Sequence, residues 1–161
     1  MWHGVIEMDA YEPLIHSIAA RLKAEFRPAT ADGIQQLRDL QFPEPIIKFY
    51  ERYEPRDCVE GVARLWQIAD IMVENKEGAP GICVVPHGYR VFASTYSGDA
   101  YCFNLNRLSP ACDPAIVLIS TGDVGEDSPA DEVHNAANPV ARDLLQFLRW
   151  FEQEEPPEFP L

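Results

Sequence analysis

Two β-prone runs joined by a short polar turn constrain this chain more than any other stretch. Arg90-Val91-Phe92-Ala93-Ser94 and Ala100-Tyr101-Cys102-Phe103-Asn104 are rich in β-branched and aromatic residues, and Thr95-Tyr96-Ser97-Gly98-Asp99 lies between them. Gly and Asp at that spacing spell an antiparallel hairpin. A third apolar run, Ile82-Cys83-Val84-Val85, is expected as an earlier strand of the same meander. Residues 115–120, AIVLIS, are expected as a later strand buried on both faces. Strand alternation puts Tyr101 and Phe103 on one side and Cys102 and Asn104 on the other. One side must be core; the other is then available either for packing or for a partner.

Helical periodicity frames this sheet. Asp9 is expected to cap a first helix reaching Phe26, with Pro13 in its first turn and Ile15, Ile18 and Leu22 on its apolar face. Thr30 or Asp32 starts a second helix bearing Ile34, Leu37 and Leu40. Pro45 opens a third, in which Ile46, Phe49, Tyr50 and Tyr53 share a face. Leu65-Trp66 is expected as an edge strand before a brief helix containing Ile68, Ile71 and Met72, and residues 75–81 as a loop. Residues 121–138 are polar and aperiodic, a long connection. Residues 139–154 are expected as the last helix, with Val140, Leu144, Phe147, Leu148 and Phe151 inward, and residues 152–161 as an extended acidic tail. No repeat or linker divides the 161 residues, so one domain is expected, with its core at about 30–151.

Charge narrows the function classes. The chain carries 13 basic and 26 acidic side chains, a formal net charge of −13. That disfavours nucleic acid and anionic membrane surfaces and suits a basic protein or a cation. The opening residues lack the basic-then-apolar pattern of a leader, and no apolar run approaches the ~20 residues of a membrane span. Cys58, Cys83, Cys102 and Cys112 show no CxxC spacing, which predicts reduced thiols in a cytoplasmic protein.

Reactive constellations are sparse. His3, His16, His87 and His134 fall at none of the HxH, HxxH or HExxH spacings, and a meeting of His87 with Cys102 in space stays open. There is no GxSxG, no phosphate loop and no recognisable nucleophile signature. Asp99 has two readings: a binding carboxylate beside Tyr101, or a side chain that bonds nearby backbone donors and fixes the turn. Asp99, Asp113, Asp123, Glu126, Asp127, Asp131 and Glu132 are opposed between residues 98 and 132 only by Arg107. An acidic rim beside aromatic side chains suits a basic protein surface.

The order of segments resembles the SUKH (SMI1/KNR4) superfamily. Phe42-Pro43-Glu44-Pro45-Ile46-Ile47-Lys48-Phe49-Tyr50 is similar to its LP-containing helix, and Arg64-Leu65-Trp66-Gln67-Ile68 to its strand-to-helix segment. Val91-Phe92-Ala93 followed by Ser97-Gly98-Asp99-Ala100-Tyr101-Cys102-Phe103 resembles its GGD hairpin. Residues 114–120 and 144–151 fit its next strand and closing helix. The likeness spans residues 30–151. Glu54-Pro55-Arg56-Asp57 replaces the usual Gly-Gly, Ser97 stands where a glycine is common, and the first helix is an addition or an extension.

The resemblance implies an α+β fold, a twisted, mainly antiparallel sheet with helices packed on it. It also implies a non-enzymatic protein-binding role, and from the residue spacings neither a cofactor nor a metal is expected. Bacterial members of this type act as immunity proteins that occlude a cognate toxin, often a nuclease; a regulatory or scaffold protein of the same fold is the alternative, and a hydrolase using Asp99, His87 or a cysteine a third. Tyr96, Asp99 and Tyr101, with Asp123, Glu126, Asp127, Asp131 and Glu132, are the expected partner-contacting residues.

Overall fold

The computed structural model of the chain describes residues 2–153, with side chains from residue 10 onward. In chain order the elements are α1 (Trp2–Leu22), β1 (Phe26–Arg27), α2 (Ala31–Asp39), α3 (Glu44–Tyr53), β2 (Glu54–Pro55), β3 (Val59–Glu60), β4 (Arg64–Leu65), α4 (Ile68–Lys76), α5 (Gly81–Val84), β5 (Tyr89–Ser94), β6 (Ala100–Leu108), β7 (Pro114–Ile119), α6 (Ala130–Ala136), β8 (Asn138–Ala141) and α7 (Leu144–Glu152). Short 3-10 turns occupy Val85–His87 and Thr121–Asp123. The fold is α+β. Strands β3 to β8 form a six-stranded antiparallel sheet in sequence order, and β1 pairs with β2 in a separate two-stranded ribbon. No helix among the described residues is long and apolar enough to cross a membrane.

Local chemistry explains where the helices begin. Thr30 caps α2, its hydroxyl accepting from the Gly33 amide at 3.0 Å. Asp143 caps α7 by accepting from the Gln146 amide at 2.8 Å, and the Gln146 side chain returns to the Arg142 amide at 2.7 Å. Pro43 and Pro45 open α3, where a missing N–H costs nothing. The start of α4 has no cap of its own; the buried Glu54 carboxylate accepts from the Ile68 amide at 2.9 Å instead.

The hairpin anticipated from sequence is β5–β6, registered with Arg90 opposite Phe103 and Ser94 opposite Ala100. Phe92, Tyr101, Phe103 and Ile116 form one side of the sheet and pack beneath α1, α2, α3, α4 and α7. Phe92 and Phe103 stack at 4.1 Å between centroids, and Phe147 meets Phe92 edge-on at 5.2 Å. Such pairs add about 0.5–1.5 kcal/mol beyond the burial of their area. The other side carries Tyr89, Val91, Cys102, Val117 and Ile119, and it too is buried, under Cys83 and Val84 of α5 and Val133 of α6. Neither sheet face is therefore available to a partner.

Several expectations need correction. Ile82-Cys83-Val84-Val85 is helical, not a strand: α5 and the following 3-10 turn lay it across the second sheet face. Helix α1 begins at Trp2, so residue 9 lies inside it and Pro13 is an interior, exposed proline. It ends at Leu22 because Lys23 turns left-handed (φ 53°), freeing Phe26 and Arg27 to pair with Pro55 and Glu54. Strand β4 is internal, since β3 pairs outside it. The connection at 121–138 holds α6, and residues 138–141 are the edge strand β8, where Pro139 is tolerated because its missing donor lies on an edge. Of the expected tail, residues 154–161 lie outside the described part of the chain.

Two buried polar side chains tie helices to the sheet. Strand β4 is so short that it flanks only Ala93 and Ser94 of β5. Beyond that point Asn75 of α4 takes the place of a strand: its Oδ1 accepts from the Val91 amide at 2.8 Å, and its Nδ2 donates to the Val91 carbonyl at 2.8 Å and the Ile71 carbonyl at 2.7 Å. Arg90 is 6 % exposed and, among the described residues, meets no carboxylate. Its guanidinium donates to the carbonyls of Leu40 (2.6 Å), Val85 (2.9 Å) and Tyr89 (3.0 Å). Burial lowers its pKa, and the Leu40 carbonyl at the end of α2 offers the negative end of a helix dipole in place of an anion.

Candidate functional site

With both sheet faces covered, one end of the sheet brings together exposed side chains from three loops, while the exposed Val73 of α4 and Leu108 at the other end of β6 stand apart from it. Pairing of Arg64 with Ser94 brings the turn at 61–63 beside the turn at 95–99. Pairing of Ala100 with Ile119 brings residues 120–123 to the same end. Side chains bind the three loops into one rim. The Tyr96 hydroxyl donates to the Gly61 carbonyl at 2.8 Å. The Thr121 hydroxyl donates to the Gly98 carbonyl at 2.7 Å, and the Thr121 amide to Asp99 Oδ1 at 3.2 Å. Gly98 is needed at its position because its φ of 94° is left-handed.

Tyr96 and Val62 are 59 % and 38 % exposed, two of the few large apolar side chains left in solvent, and they flank the same carbonyl of Gly61. Partial burial, then the nearby Glu60, raise the Tyr96 phenol above its ordinary value. Glu60 is exposed and leans towards Arg64 at 3.7 Å, a loose surface pair of little energetic weight. From the rim the chain continues through Asp123, Glu126, Asp127, Asp131 and Glu132, all exposed. Among the described residues, none of these five acids takes part in an ion pair.

The expected site residues thus separate into three groups. Tyr96, Asp99 and Asp123 come together on the rim. Glu126, Asp127, Asp131 and Glu132 extend from it along the connection, with Asp131 and Glu132 in the first turn of α6. Tyr101 does not belong to any surface. It is 4 % exposed and packs edge-on against Phe147 at 5.0 Å and near Trp150 at 6.0 Å, because it shares the helix-covered face with Phe103. Val62 and the Gly61 carbonyl were not legible: they lie in an irregular segment with no periodicity, and only the tertiary approach of Tyr96 marks them.

The Asp99 carboxylate is engaged by the Thr121 amide, and its own amide is held by the Thr95 hydroxyl at 3.0 Å. This favours the turn-fixing reading. Asp99→Ala is expected to lower stability by about 0.5–1.5 kcal/mol, the range for one partly exposed hydrogen bond. Urea unfolding measures it; an unchanged midpoint would return Asp99 to the role of a free surface carboxylate.

Three of the four thiols are poorly suited to nucleophilic work. All four cysteines are free. Burial raises the pKa of Cys58, Cys83 and Cys102, the opposite of what an activated thiolate requires. Cys102 is fully enclosed in the sheet, so His87 does not meet it as an exposed pair; the ring beside His87 is that of His134, with centroids 6.4 Å apart. Next to the rim, residues 22–25 and 56–60 line an open groove of about 620 Å³ with charges of both signs. No protein-family model and no curated protein matches the chain.

Proposed function

We propose that this chain is a non-catalytic protein-binding module that docks its rim and acidic connection on a basic protein surface. Its most fitting role is that of an immunity protein of the SUKH type, working in the cytoplasm and neutralising a bacterial toxin domain by covering its working surface. The observation that carries this reading is the run of five exposed acids, without an ion pair among the described residues, leading from a rim that also exposes Tyr96 and Val62. An amphipathic tyrosine next to an apolar side chain supplies anchor area, and the acids supply steering and register. Nuclease domains concentrate Lys and Arg where they hold phosphate, so an acidic cover matches that surface without any chemistry on the toxin.

A variant with Asp123, Asp127 and Asp131 changed to Asn and Glu126 and Glu132 changed to Gln tests the electrostatic part. Among the described residues none of these acids forms an ion pair, so the thermal midpoint is expected to stay within a few degrees. Association with a basic toxin domain encoded beside this chain is expected to slow at least ~10-fold at low salt and to lose most of its salt dependence. Stopped-flow measurement of the on-rate reads both. An on-rate equal to that of the unaltered chain removes the acidic connection from the interface.

A further inference from the structure

We infer that His87 and His134 form an open, two-histidine site for a divalent transition-metal ion such as Zn2+. The site lies where the Val85–His87 turn meets α6, and its argument is independent of the partner reading.

The two rings come from segments 47 positions apart in sequence, yet their centroids are 6.4 Å apart at an interplanar angle of 79°. A Zn–N bond of about 2.0–2.1 Å places a coordinated ring centroid roughly 3.2 Å from the ion, so two rings sharing one ion lie roughly 5.2 Å apart at the tetrahedral angle and at most roughly 6.4 Å apart in a linear arrangement. The observed spacing is that of the open, linear limit. Reaching the tetrahedral value takes about 1 Å of closure, which falls to rotation of the half-buried His87 ring, since His134 is held by Tyr89.

The second observation is the support behind His134. Its Nδ1 lies 2.7 Å from the hydroxyl of Tyr89, a residue only 2 % exposed and anchored in the sheet. With the proton on Nδ1, the imidazole donates to the tyrosine oxygen and leaves an unprotonated Nε2. Metal-binding histidines are commonly oriented this way, the second nitrogen held by a fixed hydrogen-bond partner. His87 is steadied through its backbone, where the carbonyl accepts from the Asn106 side chain at 2.9 Å. Among the described residues, neither His134 Nε2 nor the His87 ring is consumed by a protein hydrogen bond.

Imidazole suits Zn, Ni and Cu, and a protein of net charge −13 concentrates cations near its surface. Among the described residues no group of three or more His, Cys, Asp or Glu gathers as a closed metal centre. The site therefore has two protein ligands, with water completing the coordination. The ion would clamp α6, which Val133 and the Tyr89–His134 contact anchor to the second sheet face, onto the turn that carries His87.

Zn2+ titration of the intact chain, followed by calorimetry and by the histidine Cε1–H signals in proton NMR, is the test. One equivalent is expected to bind, moving the His87 and His134 signals together while His16 stays still. His134→Ala and His87→Ala are each expected to weaken that event at least ~10-fold, and Tyr89→Phe, which keeps the buried ring, by about 10-fold through loss of orientation. The same titration of a Cys58→Ser, Cys112→Ser variant is expected to be unchanged. Affinity unaltered by both histidine substitutions, or lost with the two serine substitutions, overturns the site.

Discussion

Asn75→Ala is expected to destabilise the fold by about 2–5 kcal/mol, an uncommonly large effect for so small a polar deletion. The side chain is 3 % exposed, and its amide satisfies both backbone groups of Val91, which is itself fully buried. Alanine leaves that N–H and C=O without partners or water, at about 1–3 kcal/mol each. Asn75→Asp is expected to rescue little: a carboxylate accepts from the Val91 amide but opposes the carbonyls of Val91 and Ile71. Urea unfolding gives the free energy, and hydrogen exchange at the Val91 amide locates it. Protection of that amide should fall in the variant while that of Phe103, between two strands, holds at the global limit. A loss below 1 kcal/mol would mean that β5 does not depend on α4 to complete its edge.

Gly81→Ala is expected to cost about 2–4 kcal/mol, from overpacking against rigid backbone. A methyl at this position falls on the Glu74 carbonyl oxygen and within 2.7 Å of its carbon and 3.1 Å of the Asn75 Cα. Helix α5 can cross the end of α4 only because nothing projects there. The control is Gly78→Ala, where the methyl meets chiefly the Glu74 carboxylate, the far end of a flexible side chain, with Glu74 Cα at 3.1 Å. That carboxyl group also accepts from the Gly81 amide, and burial raises its pKa. Thermal unfolding of the two variants should therefore differ clearly, with Gly81→Ala the lower; equal midpoints would show that α5 is free to move away from α4.

These two positions also mark where sequence reasoning stops. The interior strands were legible: β5, β6 and β7 carry β-branched and aromatic residues at alternating positions around a Gly-Asp turn. Helices α2 and α3 were legible in position and inward face, and α7 in its inward Leu144, Phe147, Leu148 and Phe151 but not in its start, which lies at Leu144 and not at Pro139. Ile82-Cys83-Val84-Val85 has strand-like residues, but four apolar residues have no decisive period, and the open second sheet face claims them as helix. Asn75 was placed in a loop by its Lys-Glu-Gly-Ala-Pro context, while in the fold it is the last buried residue of α4. Pro139 suggested a helix start, yet it begins an edge strand.

The candidate site was legible in charge and only partly in geometry. The acids at 123, 126, 127, 131 and 132 are exposed as their density suggested, and Tyr96 lies on the surface. Tyr101 was misplaced because alternation says which residues share a face but not that both faces are covered. Val62 gained meaning only through the hydrogen bond from Tyr96 to its neighbour Gly61.

The central claim is that the rim and its acidic extension bind a basic partner and act by covering it. Co-expression with the product of a neighbouring gene that encodes a basic, cell-toxic domain, followed by co-purification and a toxicity assay, tests that claim most directly. The account predicts a stoichiometric complex that protects the cell, weakens as salt rises, and is lost with the five acid-to-amide changes at 123, 126, 127, 131 and 132. A chain that forms no complex and gives no protection, or a complex indifferent to both salt and those changes, would contradict it.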